Sequence, residues 1–296
     1  MESPPKSPSL LDLLNHSSEH LTELGISSPR LNVEMLLGQT LQVDRTALYL
    51  ETDRMLSADE LERFQAALRR RIALEPLQYI LGQTEFMSLP FTVQPGVLIP
   101  RPETEILVET TIEHLSRGAF RQKEQISLLD VGTGSGCIAV ALARSLRNAK
   151  ILALDISAVA LEVAALNAEQ NKVHAQINFA QTDILSQNVC LRLDSLFDVI
   201  VSNPPYVSKS EYLSLPQEIK KYEPETALTD RADGLTYYKR LAAFCRDHLQ
   251  PSGFVALEVG MGQAPAVKEI LCKKGLTQVT TYPDLNGIVR VVIGRI

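Results

Sequence analysis

The sequence predicts an α/β protein: a doubly wound seven-stranded sheet, parallel apart from a C-terminal antiparallel hairpin, with a small all-α domain in front of it. Three observations carry that prediction. Residues 1–83 repeat apolar side chains at helical spacing. From residue 127 onward, short apolar runs alternate with helix-compatible segments, the pattern of a parallel sheet covered by helices on both faces. The segment 276–296 breaks that alternation with two β-rich runs around Asn286-Gly287, a hairpin signal.

Taken in order, the first element is "SLLDLLNHSSEHLTELG". It sets Leu10, Leu11, Leu14, Leu21 and Leu24 mostly along one helical face and stops at Gly25. A second helix follows Pro29 through "RLNVEMLLGQTL". A third opens at "SADE", where Ser57 caps the first turn and Glu60 answers three residues on, and it runs through Arg69, Arg70 and Arg71. Three short helices make a small bundle. Residues 84–100, "TEFMSLPFTVQPGVLIP", lose the helical period and read as a hairpin-like connector to a domain spanning 101–296. Its strands are "SLLDVG" (127–132), "KILALDI" (150–156), "INFAQTD" (177–183), "FDVIVSN" (197–203) and "GFVALEVG" (253–260). The closing hairpin departs from the dinucleotide-binding version of this architecture. It resembles the fold of S-adenosylmethionine (AdoMet)-dependent methyltransferases.

Composition narrows the function. No apolar run approaches the roughly 20 residues that span a bilayer, and "MESPPKSPSLLDLL" lacks the basic-then-apolar layout of a secretion signal. Cys137, Cys190, Cys245 and Cys272 form no CxxC pair, and the five histidines are scattered. A disulfide framework or structural zinc is not expected, and the chain reads as a cytoplasmic protein without metal. A net charge of −6 argues against a broad nucleic-acid footprint. Arg69–Arg71 are the exception, either as a solvated helix face or as a patch for RNA or an acidic partner.

"LLDVGTGSGCIAVALA" places Gly132, Gly134 and Gly136 between the first large-domain strand and a helix, with Thr133 and Ser135 interleaved. Glycine permits a sharp turn and close backbone approach to a ligand at a helix N-terminus. The spacing is GxGxG, with Cys137 where a dinucleotide enzyme continues its fingerprint, which favours a cofactor without pyrophosphate. Asp155 ends the next strand, about 20 residues on, where an acidic residue accepts ribose hydroxyls; capping the following helix is the other reading. Asp183 ends the third strand, as an adenine neighbour or a turn residue. Asp130, inside the first strand, is expected to be buried, with a structural role or one at the cofactor's amino-acid end.

"NPPY", Asn203, Pro204, Pro205 and Tyr206, falls at the end of the fourth strand, where ligands bind in such sheets. A carboxamide or aromatic amine is a poor nucleophile because its nitrogen lone pair is delocalised. The Asn203 side-chain oxygen and the Pro204 carbonyl can hold its N–H groups, aim the nitrogen and favour the positive charge that develops on attack. Proline fixes φ and so the direction of its carbonyl. Tyr206 offers an aromatic face for the acceptor plane. Asn203, Pro204 and Tyr206 are therefore the candidate catalytic residues.

These residues resemble the HemK/PrmC family, the protein-(glutamine-N5) methyltransferases of peptide chain release factors. The resemblance runs through "EPLQYILG" (75–82), "LIPRPETE" (98–105), "DVGTGSGCIA" (130–139), "ALDIS" (153–157), "NPPY" (203–206), "YEPETAL" (222–228) and "DGL" (233–235). It implies that Gly132, Thr133, Gly134, Ser135, Gly136, Asp155 and Asn203 contact AdoMet, with Asp183 near the adenine. It implies that Asn203 to Tyr206 hold the glutamine of a Gly-Gly-Gln loop, and that Pro100, Arg101 and Glu103 line an entrance or form a structural Arg–Glu pair. Ile184 stands where family members often carry an aromatic residue. The expected partner is a release factor gripped by the helical domain, with no direct DNA binding, no membrane and a monomeric chain. NPPY is shared with N6-adenine methyltransferases, so a nucleic-acid enzyme is the alternative; a silent AdoMet-fold subunit is a third reading.

Overall fold

The computed structural model describes residues 8–186 and 195–296; Cys190 lies outside them. It divides into two compact units. One ends at Gly82 and takes in Gln217–Tyr222; the other comprises Gln83–Pro216 and Glu223–Ile296.

In the first unit, helices span Leu10–Glu23, Pro29–Leu41, Arg45–Leu50, Ala58–Ile72, Leu77–Leu81 and Gln217–Tyr222. Both Leu10–Glu23 and Ala58–Ile72 begin with reciprocal capping boxes, Ser9 with Asp12 and Ser57 with Glu60. Leu14, Leu21, Val33, Leu36, Leu37 and Phe64 form the core. Leu11 and Leu24 are exposed, contrary to the periodicity reading. Leu11 is a turn of ~100° away from the buried Leu10, and Leu24 is the C-cap, past the last helical turn. Arg45–Leu50 and Leu77–Leu81 show no period because each is shorter than two turns.

The arginine run does not form one patch. Three consecutive helical residues span about 200° of the helix circumference, so they cannot share a face. Arg71 is buried, donating to Asn32 Oδ1 (2.7 Å), the Glu75 carbonyl (2.9 Å) and Glu218 Oε2 (2.9 Å). Arg70 pairs with Glu75 through two bonds, at 2.8 and 2.6 Å.

The second unit starts with an antiparallel hairpin, β1 (Gln83–Phe86) and β2 (Leu89–Thr92). Its main sheet contains β3 (Ile126–Val131), β4 (Ala149–Asp155), β5 (Ile177–Gln181), β6 (Phe197–Ser202), β7 (Leu249–Glu258), β8 (Thr277–Pro283) and β9 (Val289–Arg295). The order is β5-β4-β3-β6-β7-β9-β8. Strands β3 to β7 run parallel, and β9 lies antiparallel to both β7 and β8. The expected hairpin therefore inserts its second strand between the first and the sheet. Its turn is wider than a two-residue Asn-Gly connection: Asp284 N–H donates to the Ile288 carbonyl (2.8 Å) and Gly287 N–H to the Asp284 carbonyl (2.9 Å).

Alternate residues along the sheet feed two cores. Leu128, Ile151, Val199 and Val201 pack with Leu107, Val140 and Ala168 on one face. Leu129, Leu154, Ile200 and Val255 pack with Leu241, Phe244 and Val267 on the other. With both faces covered, β6 is buried at all six positions. The strand order reverses between β3 and β6, so the loops leaving these neighbours part and open a crevice.

Candidate active site

At the end of β3 the chain turns through Gly132, Gly134 and Gly136, with φ of 75°, 56° and 80°. The Gly132 and Thr133 amides donate to the Leu154 carbonyl on β4 (2.8 and 2.9 Å), which stitches the loop to the adjacent strand. Gly136 is needed for a second reason: a Cβ there would sit 2.9 Å from Ala164 Cβ, closing the gap to helix Ala158–Gln170. Cβ positions at Gly132 and Gly134 meet nothing within 4 Å.

Asp155, at the end of β4, has a carboxylate fixed by backbone. Oδ2 accepts from Gly134 N–H (2.8 Å) and Oδ1 from Ser157 N–H (2.9 Å). The helix cap itself is Ser157, whose Oγ accepts from Ala160 N–H (3.2 Å). Asp130 is fully buried; its Oδ2 accepts from the Thr133 hydroxyl (2.7 Å) and its Oδ1 has no partner. Burial pushes its pKa up to about 7, against the Thr133 hydrogen bond and with help from the nearby Asp155 charge. Strand β5 ends at Gln181, two residues short of Asp183. Asp183 Oδ1 accepts from Leu185 N–H (2.8 Å), a turn role, and Asp183 also lines the crevice.

On the opposite side, Ser202 at the end of β6 donates to the Val131 carbonyl (2.7 Å), which ties the two strand exits together. Asn203 follows, and its Nδ2 donates to Thr104 Oγ1 (3.1 Å). The Tyr206 hydroxyl donates to Glu258 Oε1 (3.3 Å), and its carbonyl accepts from Gln263 Nε2 (2.8 Å). "DGL" supports the same residue. Gly234 has φ 77°, and a Cβ there would run into the Tyr206 carbonyl. Asp230 shapes that turn by accepting from the Ala232, Gly234 and Thr236 amides.

The crevice is lined by Gly132, Thr133, Gly134, Ser135, Asp155, Asp183, Asn203, Pro204 and Pro205. Gly136 and Tyr206 are not among its lining residues. Pro100 and Arg101 line it and Glu103 does not. No Arg101–Glu103 pair forms. Arg101 pairs with the buried Glu223 of "YEPETAL", while Glu103 lies 3.9 Å from Arg290. Ile184 is buried and lines the crevice, and so does Tyr237, which the sequence reading missed. Burial, with the charges of Asp183, Asp230 and Asp155, raises the Tyr237 pKa. Its signal was its place two residues after "DGL". Among the described residues, no cluster of three metal-ligating side chains occurs and no helix is long and apolar enough to cross a membrane.

The chain is similar to known proteins over most of its length. Residues 12–82 match the PrmC N-terminal domain and residues 104–222 the methyltransferase small domain. A release factor glutamine methyltransferase of Koribacter versatilis is 42% identical over 277 residues, covering 94% of this chain and 95% of its own. That of Chlorobaculum tepidum is 40% identical over 282 residues, 95% of each chain. A solved release factor-specific protein-(glutamine-N5) methyltransferase from Alicyclobacillus acidocaldarius is 32% identical, covering 69% of this chain and 99% of its own, with a TM-score of 0.40. With such identity held over nearly the full length of both relatives, the chain belongs to the release factor glutamine methyltransferase family.

Proposed function

We propose that this protein transfers a methyl group from S-adenosyl-L-methionine to the side-chain amide nitrogen, N5, of the glutamine in the Gly-Gly-Gln motif of peptide chain release factors. The observation that carries the reading is the pairing, across one crevice, of a glycine cradle with an Asn203 carboxamide. The amide's donor end is already engaged by Thr104.

The residues present fit AdoMet. Cβ positions at Gly132 and Gly134 are open, so a ligand can lie against bare backbone. Asp155 keeps lone pairs for two ribose hydroxyls after accepting one amide on each oxygen. Asp130 has an unsatisfied buried oxygen directly behind the loop. Gly132 to Ser135, Asp155, Asp183 and Asn203 would hold the cofactor, which supplies a methyl group activated by a sulfonium, while Gly136 lets the loop pack on Ala164. Tyr237 and Ile184 offer one aromatic and one aliphatic surface beside Asp183 for a flat base.

The protein's own groups then act on the acceptor. The Asn203 Oδ1 and the Pro204 carbonyl accept the two N–H hydrogens of the glutamine amide and aim its nitrogen into the crevice. As positive charge grows on that nitrogen, both hydrogen bonds strengthen, which lowers the barrier rather than merely tightening binding. Pro205 stiffens the wall. Tyr206 lies outside the crevice lining, and its hydroxyl bond to Glu258 keeps the ring from swinging. The proton leaves after transfer, so neither a strong base nor a metal is needed.

Incubation of purified release factor with enzyme and labelled AdoMet, followed by mass spectrometry of the Gly-Gly-Gln peptide, tests the reading. One added methyl on the glutamine is the expected result. Label on DNA but not on the release factor would replace it with the N6-adenine reading, which also uses NPPY. The net charge of −6 argues for a protein acceptor with no direct DNA contact. The same reading has the protein act as a cytoplasmic monomer, which sedimentation and cell fractionation can check.

A further inference from the structure

Gln263 stands at the start of helix Ala264–Lys273 and is not among the residues lining the crevice. Its side chain does not cap that helix. Instead Nε2 donates to the Tyr206 carbonyl (2.8 Å), while Oε1 accepts from Gly260 N–H (3.1 Å) and the Tyr238 hydroxyl (3.4 Å). We propose that Gln263 is a positioning residue for methyl transfer, which pins the far end of the NPPY tetrad and so fixes the direction of the Pro204 carbonyl.

The orientation of this carboxamide is specified from both sides. A backbone N–H only donates and a backbone carbonyl only accepts, so Gly260 selects the oxygen and Tyr206 the amino group. A reversed amide would lose both bonds. Two glycines from separate segments clear the space for this one contact. A Cβ on Gly234 would run into the Tyr206 carbonyl and lie 2.8 Å from Gln263 Nε2. One on Gly260 would lie 2.9 Å from Gln263 Oε1 and 3.0 Å from Tyr206 Cδ2. Gly234 is also required by its φ of 77°, but Gly260 has no left-handed φ, so close approach alone accounts for it. The peptide joining Tyr206 to Val207 is gripped at both edges, its carbonyl by Gln263 and its N–H by the Leu228 carbonyl (2.9 Å). Held at one edge only, it could rock about that bond. The near end of the tetrad is fixed by Ser202 on the Val131 carbonyl and by Asn203 on Thr104. Between the two ends, the rings of Pro204 and Pro205 lock φ and leave the chain few ways to bend. With both ends held, the Pro204 carbonyl has one direction. Release at Tyr206 lets it turn, and a misaimed acceptor costs most as the substrate nitrogen gains charge.

The inference rests on the acceptor role given to the tetrad, and the experiment separates the two. Variants are assayed for kcat and KM with purified release factor and for AdoMet affinity by calorimetry, below a measured Tm so that each is folded. Gln263→Met, similar in length and without a donor, should lower kcat about tenfold, with KM and AdoMet affinity within about threefold of wild type. Gln263→Glu keeps an oxygen for Gly260 but sets a second acceptor against the Tyr206 carbonyl, so it should lose at least as much. A role confined to supporting the turn at Gly260 predicts the opposite, recovery in Gln263→Glu. Gly260→Ala leaves Gln263 in place and crowds the bond; it should show the same split, and it carries the test alone if Gln263→Met does not fold. The double variant should be no worse than the poorer single, because both break one bond. Wild-type kcat in any of the three singles, losses that multiply in the double variant, or AdoMet affinity falling in step with kcat would overturn the positioning role. Should Asn203→Ala lose activity while Gln263→Met keeps it, only this inference fails; should Asn203→Ala remain active, the reading of the site itself fails.

Discussion

The two sides of the crevice are built by different means. On the side of β3 and β4, the ligand surface is backbone, and its supports are close in the chain. Thr133 bonds Asp130 three residues away, and Gly134 bonds Asp155 at a separation of 21. On the side of β6 and β7 the surface is side chain and proline. Its supports come from far away: Thr104 is 99 residues from Asn203, Glu258 is 52 from Tyr206, and Gln263 is 57 from Tyr206. A single β-α-β unit, β3 to β4, can preform the first side. The second exists only when several remote segments have docked, so single side-chain changes there should disturb chemistry more than binding.

That contrast is most easily broken at Asn203. Replacement by Ala removes the acceptor without touching the glycine loop, and methyl transfer should fall about a thousandfold, the scale of losing one well-placed polar group at a developing charge. AdoMet affinity should change by less than about fivefold by calorimetry, since Asn203 offers the cofactor at most one contact among many. An equal loss of both would mean that the two sides are not separate. Asp155→Ala should do the converse. Losing hydrogen bonds to a charged acceptor is expected to weaken AdoMet binding about 30-fold, with kcat at saturating cofactor reduced by a smaller factor.

The same contrast decides what could be read from the sequence. Gly132 to Gly136 and Asp155 were legible because their supports lie within one motif, and β6 because a doubly covered strand is a nearly unbroken apolar run. NPPY was legible as a position, at a strand end, but its supports were not. Thr104 is one hydroxyl at the start of an amphipathic helix, and nothing local links it to a residue 99 positions on. Glu258 did leave a trace, a lone carboxylate in "FVALEVG", where every neighbour is apolar or glycine. Gln217–Tyr222 escaped because a six-residue helix has no period. A linear reading also has no means to assign it to the unit formed by residues before Gly82. Arg71 looked like surface charge because a run of three arginines gives no hint which one faces inward.

Gly234 tests whether backbone can matter on the side-chain side. Ala at this position must adopt φ 77° and push its Cβ into the Tyr206 carbonyl, which Gln263 also holds. The expected cost is about 1–3 kcal/mol of stability in urea melts. A kcat loss of about tenfold should accompany it as Tyr206 shifts, because small displacements of positioning groups are enough to slow transfer. AdoMet affinity should hold. If kcat survives the displacement, Tyr206 is a bystander and the proline carbonyl and Asn203 suffice.

The smallest effect is expected from Asp130, where backbone and buried charge meet. Its pKa is raised from 3.8 to about 7 by burial. The folded state therefore binds this proton more tightly than the unfolded chain does. Its contribution to stability is full below about pH 4 and is lost as pH rises toward about 7. Asp130→Asn keeps an acceptor for the Thr133 hydroxyl and removes the titration. Between pH 5 and 8, the Tm of the wild type without cofactor should fall relative to that of Asp130→Asn by about 5 °C or less. If AdoMet's positive charge sits near this carboxylate, saturating cofactor should shrink the difference, because a neighbouring cation favours the ionised form and draws its pKa back down. A gap unmoved by cofactor would make Asp130 a purely structural support for the Thr133 turn, and would leave the glycine side of the crevice built from backbone and Asp155 alone.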